Sequence, residues 1–198
     1  MLSAVIFDLD GTLTRTPNPW QHIHECLGVW ADQAAGHFGE WLSGKICYDE
    51  FCRKDAGLWR GRPLAEIQRY LDMIEVNRHV PEVVGALVQR RIPSIIISSG
   101  FTYVARKIQV SCNWEPLLVY ANELIEGPDV NIRVSADWSS SLSKKAHAET
   151  ALRMLGAEAA GTLVVSDATR DLEQLKECGF HLHIREEDDL RQTLNYLD

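Results

Sequence analysis

Ala4-Val5-Ile6-Phe7 is a run without a polar side chain, and it stops abruptly on Asp8-Leu9-Asp10-Gly11-Thr12. Neighbouring side chains in a strand point to opposite faces, so a wholly apolar run ended by a glycine turn suits a strand covered on both sides. Three similar runs follow at Ile95-Ile96-Ile97, Leu117-Leu118-Val119-Tyr120 and Leu163-Val164-Val165. Helical periodicity fills the intervals. Val83, Val84, Leu87 and Val88 recur on one face over residues 80–90, and residues 102–110 and 144–155 also suit helices. Strands alternating with helices predict an α/β fold, a Rossmann-like doubly wound parallel sheet with helices on both faces.

Residues 15–78 break this alternation. They hold no convincing strand, they are rich in large aromatics such as Trp20, Trp41, Tyr48, Phe51 and Trp59, and Ile23, Leu27 and Trp30 repeat at helical spacing. The expectation is a small α-helical cap at 15–78, inserted after the first strand of a core formed by 1–14 and 79–198. Most of the aromatics are expected to be the cap's own core, because so small a unit needs bulky side chains to hold together.

Polar residues gather where such a sheet binds ligands, beyond the carboxyl ends of its strands. Asp8 and Asp10 follow the first run, Ser98 and Ser99 the second, and Asp167 the run at 163–165, while Lys144 opens a helix. The set suits phosphoryl transfer. Asp8, Asp10 and Asp167 offer hard oxygen ligands for Mg²⁺. Asp8 would attack phosphorus and form a covalent intermediate. Asp10 would protonate the leaving oxygen and later deprotonate water. Ser98 and the amides near Ser99 and Gly100 would hold the phosphoryl oxygens, and Lys144 would neutralise developing charge. Asp171, one helical turn beyond Asp167, would orient Lys144 or a metal-bound water, with Thr12 as a further supporting residue.

D-x-D-G-T after a first strand, a serine after a second, a later lysine and then D-x-x-x-D resemble the haloacid dehalogenase-like hydrolases. Ile97-Ser98-Ser99-Gly100-Phe101, Ala121-Asn122-Glu123-Leu124 and the closing helix at 190–197 resemble the phosphoserine phosphatase branch. The resemblance implies Asp8 as nucleophile, Asp10 as acid/base, Ser98 and Lys144 on phosphate and Asp167 on magnesium, with Asp10 ligating the metal through its backbone carbonyl. It also places the cap. Asp10 and Ser98 are 98 − 10 = 88 positions apart, whereas Ser98 and Lys144 are 144 − 98 = 46 apart, which leaves little room for a second insertion.

The substrate end departs from that branch. Its cap glutamate would fall near Pro17 and its carboxylate-binding arginine at Asp55, with Arg53 and Arg60 as the substitutes a nearby turn offers. A carboxylate in place of a cation repels an anionic amino-acid head, so free phosphoserine is not the expected substrate. Asp55 with Trp20, Tyr48 and Trp59 would frame a cationic or uncharged head; alternatively, the aromatics are cap core and Asp55 is a solvated helix residue. Ser99 and Ser166 stand where the branch has glycine.

A net charge of −8 argues against a broad nucleic-acid surface. No apolar segment approaches the length of a membrane span, and the N-terminus lacks the pattern of a signal peptide. The five cysteines form no C-x-x-C pair and read as free thiols, and the histidines form no zinc set with them. The expectation is a cytoplasmic enzyme whose partner is a small phosphomonoester, not nucleic acid or membrane; the pattern sets no oligomeric state. A phosphoacceptor receiver, a regulatory protein and a phosphomutase share parts of the pattern.

Overall fold

β1 (Ala4–Phe7) lies inside a six-stranded sheet in the computed structural model, which describes residues 2–116, 118–126, 131–133 and 143–197. The chain leaves β1 for four cap helices, α1 (Pro19–Cys26), α2 (Ala35–Leu42), α3 (Tyr48–Gly57) and α4 (Leu64–Asp72). It then runs through α5 (Val80–Arg90), β2 (Ser94–Phe101), α6 (Thr102–Cys112), β3 (Leu118–Ile125) and β4 (Asn131–Arg133). α7 (Ser143–Leu155), β5 (Thr162–Ser166), α8 (Thr169–Gln174) and β6 (Phe180–His183) complete the core. Leu117, expected in the third strand, lies outside the described residues.

The strand order is β4-β3-β2-β1-β5-β6; β4 is antiparallel to β3, and the other five strands are parallel. β1 pairs with β2 on one side and β5 on the other, so the order reverses at β1 and opens a crevice beyond its carboxyl end. All four β1 side chains are at most 2% exposed, which is possible only if both faces are covered. On one of them Phe7 meets Trp114 edge-on at 6.0 Å.

β2 is longer than its apolar run. It continues through Ser98 and Ser99 to Phe101, with its register against β3 slipping between Ile97 and Phe101. The two serines therefore lie within an irregular strand end rather than after it. The Gly100 amide donates to Ser98 Oγ at 2.8 Å, a local bond that replaces one rung of the ladder.

The chain enters and leaves the cap side by side. Thr14 bridges Val76 in antiparallel fashion, the Arg15 amide donates to the Glu75 carbonyl at 2.9 Å, and the Asn77 amide donates to the Leu13 carbonyl at 2.9 Å. α1 starts on Asn18, whose Oδ1 accepts from the Gln21 amide at 3.1 Å, with Pro19 in the first turn. The closing helix is wound as a 3₁₀ segment over Glu187–Tyr196. Leu190 and Thr193 are both fully buried, and a 3₁₀ winding stacks positions three apart on one line.

Candidate active site

Asp8 is the first residue past β1, and its amide donates to the Val165 carbonyl at 2.9 Å, fixing it between β1 and β5. Lys144, in the first turn of α7, donates to Asp8 Oδ1 at 2.7 Å and to Asp171 Oδ2. All three side chains are about nine-tenths buried. Ser166, the last residue of β5, donates to Asp171 Oδ2 at 2.8 Å and accepts from the Ala168 amide at 3.1 Å. Ser166 thus positions the carboxylate that holds Lys144.

Asp10 is buried, and its Oδ2 accepts from Ser98 Oγ at 2.7 Å, while its Oδ1 has no hydrogen-bond partner among the described residues. Gly100 is small for a reason: a Cβ there would run into the Asp10 carboxylate. Gly11, at φ +79°, makes the same allowance for Asp167. Thr12 donates to Asp167 Oδ1 at 3.2 Å and accepts from the Asp167 amide at 3.0 Å, joining the turn after β1 to the loop after β5. The expected set Asp8, Asp10, Thr12, Ser98, Lys144, Asp167 and Asp171 is therefore in one place. The Gly100 amide is already engaged by Ser98, so the contribution of Gly100 here is space.

Ser99 does something the sequence does not indicate. Its carbonyl accepts from Trp20 Nε1 at 3.2 Å, Tyr48 Oη at 2.8 Å and Asn122 Nδ2 at 2.8 Å. Two cap aromatics and one core amide are thus hooked to a single strand carbonyl at the floor of the site.

The electrostatics are unbalanced. Burial pushes Asp8 up to about 8, with Lys144 opposing. Burial pushes Asp10 up to about 7 against the Ser98 hydrogen bond. Asp167 is raised by burial against the pull of Thr12. Burial disfavours the Lys144 ammonium, but Asp8 and Asp171 outweigh it and hold the group well above its ordinary value. Four acidic side chains face Lys144, with Arg170 the further cation lining the cavity, and when all four are ionised a divalent cation would offset the excess of negative charge. Among the described residues no three His, Cys, Asp or Glu side chains come together as a metal cluster. A set of two carboxylates, Asp8 and Asp167, with the Asp10 carbonyl and water still suits Mg²⁺, which binds through few protein groups. The Asp10 carboxylate is committed to Ser98.

Asp55 is neither solvated nor in the site. α3 buries it completely, with Oδ2 3.1 Å from His24 Nε2 and Oδ1 2.8 Å from His37 Nδ1. Trp59 is also fully buried in the cap, whereas Trp20 and Tyr48 reach the cavity over Asp8. Arg53 lies 3.7 Å from Glu50, and neither it nor Arg60 lines that cavity. Asp55→Arg would therefore test cap stability, not head-group preference. We expect Asp55→Ala to strip the buried His24 ring of its only hydrogen-bond partner among the described residues and to cost about 2–4 kcal/mol in chemical denaturation. An unchanged midpoint would remove the His–Asp–His contact from the forces holding the cap.

A family model for haloacid dehalogenase-like hydrolases matches residues 2–179. Among solved structures, a phospho-aspartyl intermediate analogue of phosphoserine phosphatase is 19% identical, with a TM-score of 0.75 over 97% of this chain and 90% of that one. A substrate-bound phosphoserine phosphatase complex is 20% identical, with a TM-score of 0.74 over 98% and 90%. Phosphoserine phosphatase from T. onnurineus in complex with NDSB-201 is 18% identical, with a TM-score of 0.68 over 100% and 96%. At these identities the likeness is one of fold: a five-stranded parallel sheet with helices between its first two strands forming a cap. No curated protein matches significantly. Among the described residues no helix is long and apolar enough to cross a membrane.

Proposed function

Because the chain belongs to the haloacid dehalogenase-like hydrolases, we propose that it is a magnesium-dependent phosphatase of small phosphomonoesters that works through an aspartyl-phosphate on Asp8. The observation that carries this reading is Lys144, one ammonium bonded to both Asp8 and Asp171 where the strand order reverses, with Asp10 held two residues along by Ser98.

The Asp8 carboxylate attacks phosphorus, and the bond from phosphorus to the ester oxygen breaks. Asp10 gives its proton to that oxygen, so the alcohol leaves neutral. A carboxyl raised toward neutrality by burial can carry that proton, and its Oδ1, without a hydrogen-bond partner among the described residues, is the oxygen that would hand it over. In the second step Asp10 takes a proton from water as the water oxygen attacks the same phosphorus. The bond to Asp8 breaks, inorganic phosphate departs, and Asp8 and Asp10 return to their starting states. Lys144 stabilises the phosphoryl oxygens, joined by the Ser98 hydroxyl when its one proton turns from Asp10 Oδ2 to the phosphoryl group, while Asp171, held by Ser166, keeps Lys144 in place. Asp8, Asp167 and the Asp10 carbonyl would hold magnesium, which when bound supplies the positive charge that lets a carboxylate approach an anionic phosphate. In this reading residues 1–14 and 79–198 are the catalytic core and 15–78 the cap that closes over it.

The test is phosphate release from a set of phosphomonoesters with magnesium or EDTA. Chelation is expected to lower the rate by about tenfold or more, with recovery on adding magnesium. Release that ignores EDTA would remove the metal from the reading, and no release from any ester would overturn it.

A further inference from the structure

The cavity over Asp8, Asp10 and Lys144 has a volume of about 570 Å³, within the range of about 300–1,000 Å³ usual for small-molecule sites. Its two halves differ in chemistry. Among the described residues every charged side chain that lines it comes from the core: Arg170 and the Asp and Lys residues already described. The cap side is Trp20, Phe38, Trp41, Ile46, Tyr48 and Phe51, extended by other uncharged residues. Asn18 is the one amide there, and its Oδ1 already accepts from the Gln21 backbone.

The aromatics form a connected wall. Trp41 stacks on Phe51 at 5.3 Å and meets Tyr48 at 5.4 Å and Phe38 at 5.6 Å, and Trp20 meets Phe51 at 5.1 Å. Two of its polar atoms, Trp20 Nε1 and Tyr48 Oη, are spent on the Ser99 carbonyl. Of the cap charges, Asp55 is bonded to His24 and His37 and Lys54 to Glu40 at 2.5 Å, while the exposed Lys45, between the lining residues Gly44 and Ile46, does not itself line the cavity. Against the cap wall a zwitterionic leaving group would meet no charged side chain among the described lining residues, and shedding its water there is unfavourable.

We infer that the alcohol released from this site is uncharged, apolar and about the size of one ring, received by the Trp41–Phe51 wall of the cap. This rests on the phosphatase reading above and goes beyond it by naming the leaving-group class. Aromatic faces also attract quaternary ammonium ions, so charge must be tested apart from shape. Phosphocholine and 3,3-dimethylbutyl phosphate do this, since they share a shape and differ by one positive charge.

The experiment compares kcat/KM for benzyl phosphate, 3,3-dimethylbutyl phosphate, phosphocholine, phosphoserine and methyl phosphate. The two apolar esters are expected to exceed phosphocholine and phosphoserine by about tenfold or more. Trp41→Ala should lower the benzyl ester by about tenfold and leave methyl phosphate within about twofold, because methyl phosphate does not reach the wall. Leu42→Asp, at a cavity residue that is 60% exposed and so no threat to folding, should lower the benzyl ester by about fivefold with the same selectivity. Phosphocholine or phosphoserine as the better substrate would overturn the inference and leave the phosphatase standing. Equal losses on benzyl and methyl phosphate in both variants would also overturn it. If no ester is hydrolysed the phosphatase reading falls, and calorimetric binding of the same esters decides the inference: tighter binding of 3,3-dimethylbutyl phosphate than of phosphocholine upholds it, and the reverse, or no binding, overturns it.

Discussion

Asp8→Asn is expected to abolish phosphate release, by about 10⁵-fold or more, while leaving the fold intact. The two halves of that expectation have separate causes. The backbone of residue 8 is held by its amide to the Val165 carbonyl and by a β1 strand whose side chains are buried, and an amide side chain changes neither. Lys144 keeps Asp171 as a partner, and Asp171 keeps Ser166, so the substitution does not strand a buried ammonium. Chemistry is lost because a carboxamide oxygen is a poor nucleophile and cannot give the carboxyl–phosphoryl anhydride. Phosphate release, a thermal melt and intact-protein mass spectrometry after mixing with substrate check this together. A native melt with no turnover and no phosphoryl adduct is the expected triad. Turnover near wild type would move the nucleophile away from Asp8.

The second large effect is at Asp10. Asp10→Asn is expected to lower kcat by about 10²–10⁴ through loss of proton transfer in both half-reactions. Asparagine preserves the geometry, since its oxygen can still accept from Ser98 Oγ and its size still fits against Gly100. What is lost is a group that can both give and take a proton. The loss should depend on the ester. A phenolate with electron-withdrawing substituents leaves without protonation, so transfer to Asp8 should remain comparatively fast for such an ester. Hydrolysis of the aspartyl-phosphate still needs a base, so the intermediate should accumulate and give a burst of the phenol. Single-turnover rates across esters of graded leaving-group basicity measure this directly. An equal loss for every ester, with no burst, would assign Asp10 a role in metal or substrate binding instead.

Much of this site was legible because its first requirement is local. A strand buried on both faces must be apolar at every position, and Ala4–Phe7 is, so the residues just past it had to lie at the sheet's carboxyl rim. The same argument found β5 and placed Asp167 beside it. It did worse at β2, where Ser98 and Ser99 lie within the strand, because polar residues in an irregular strand end look like the start of a loop. It could not see Ser166 as the residue that holds Asp171.

The cap was legible as a helical, aromatic unit and illegible in its details. Whether Asp55 is solvated or buried is decided by His24 and His37, 31 and 18 positions away, which together satisfy both carboxylate oxygens. Likewise Trp20, Tyr48 and Trp59 have similar side chains in similar helical patterns, yet the first two meet the Ser99 carbonyl and line the cavity while Trp59 is enclosed. Periodicity and strand-end chemistry act over a few residues, so the amino-acid order alone set the architecture and the acidic rim. Burial and hydrogen-bond satisfaction depend on which distant segments meet; the Thr12–Asp167 contact spans 155 positions. Only the folded chain could decide which carboxylates meet Lys144, that Asp55 is enclosed between two histidines, and that the cap side of the cavity is aromatic rather than charged.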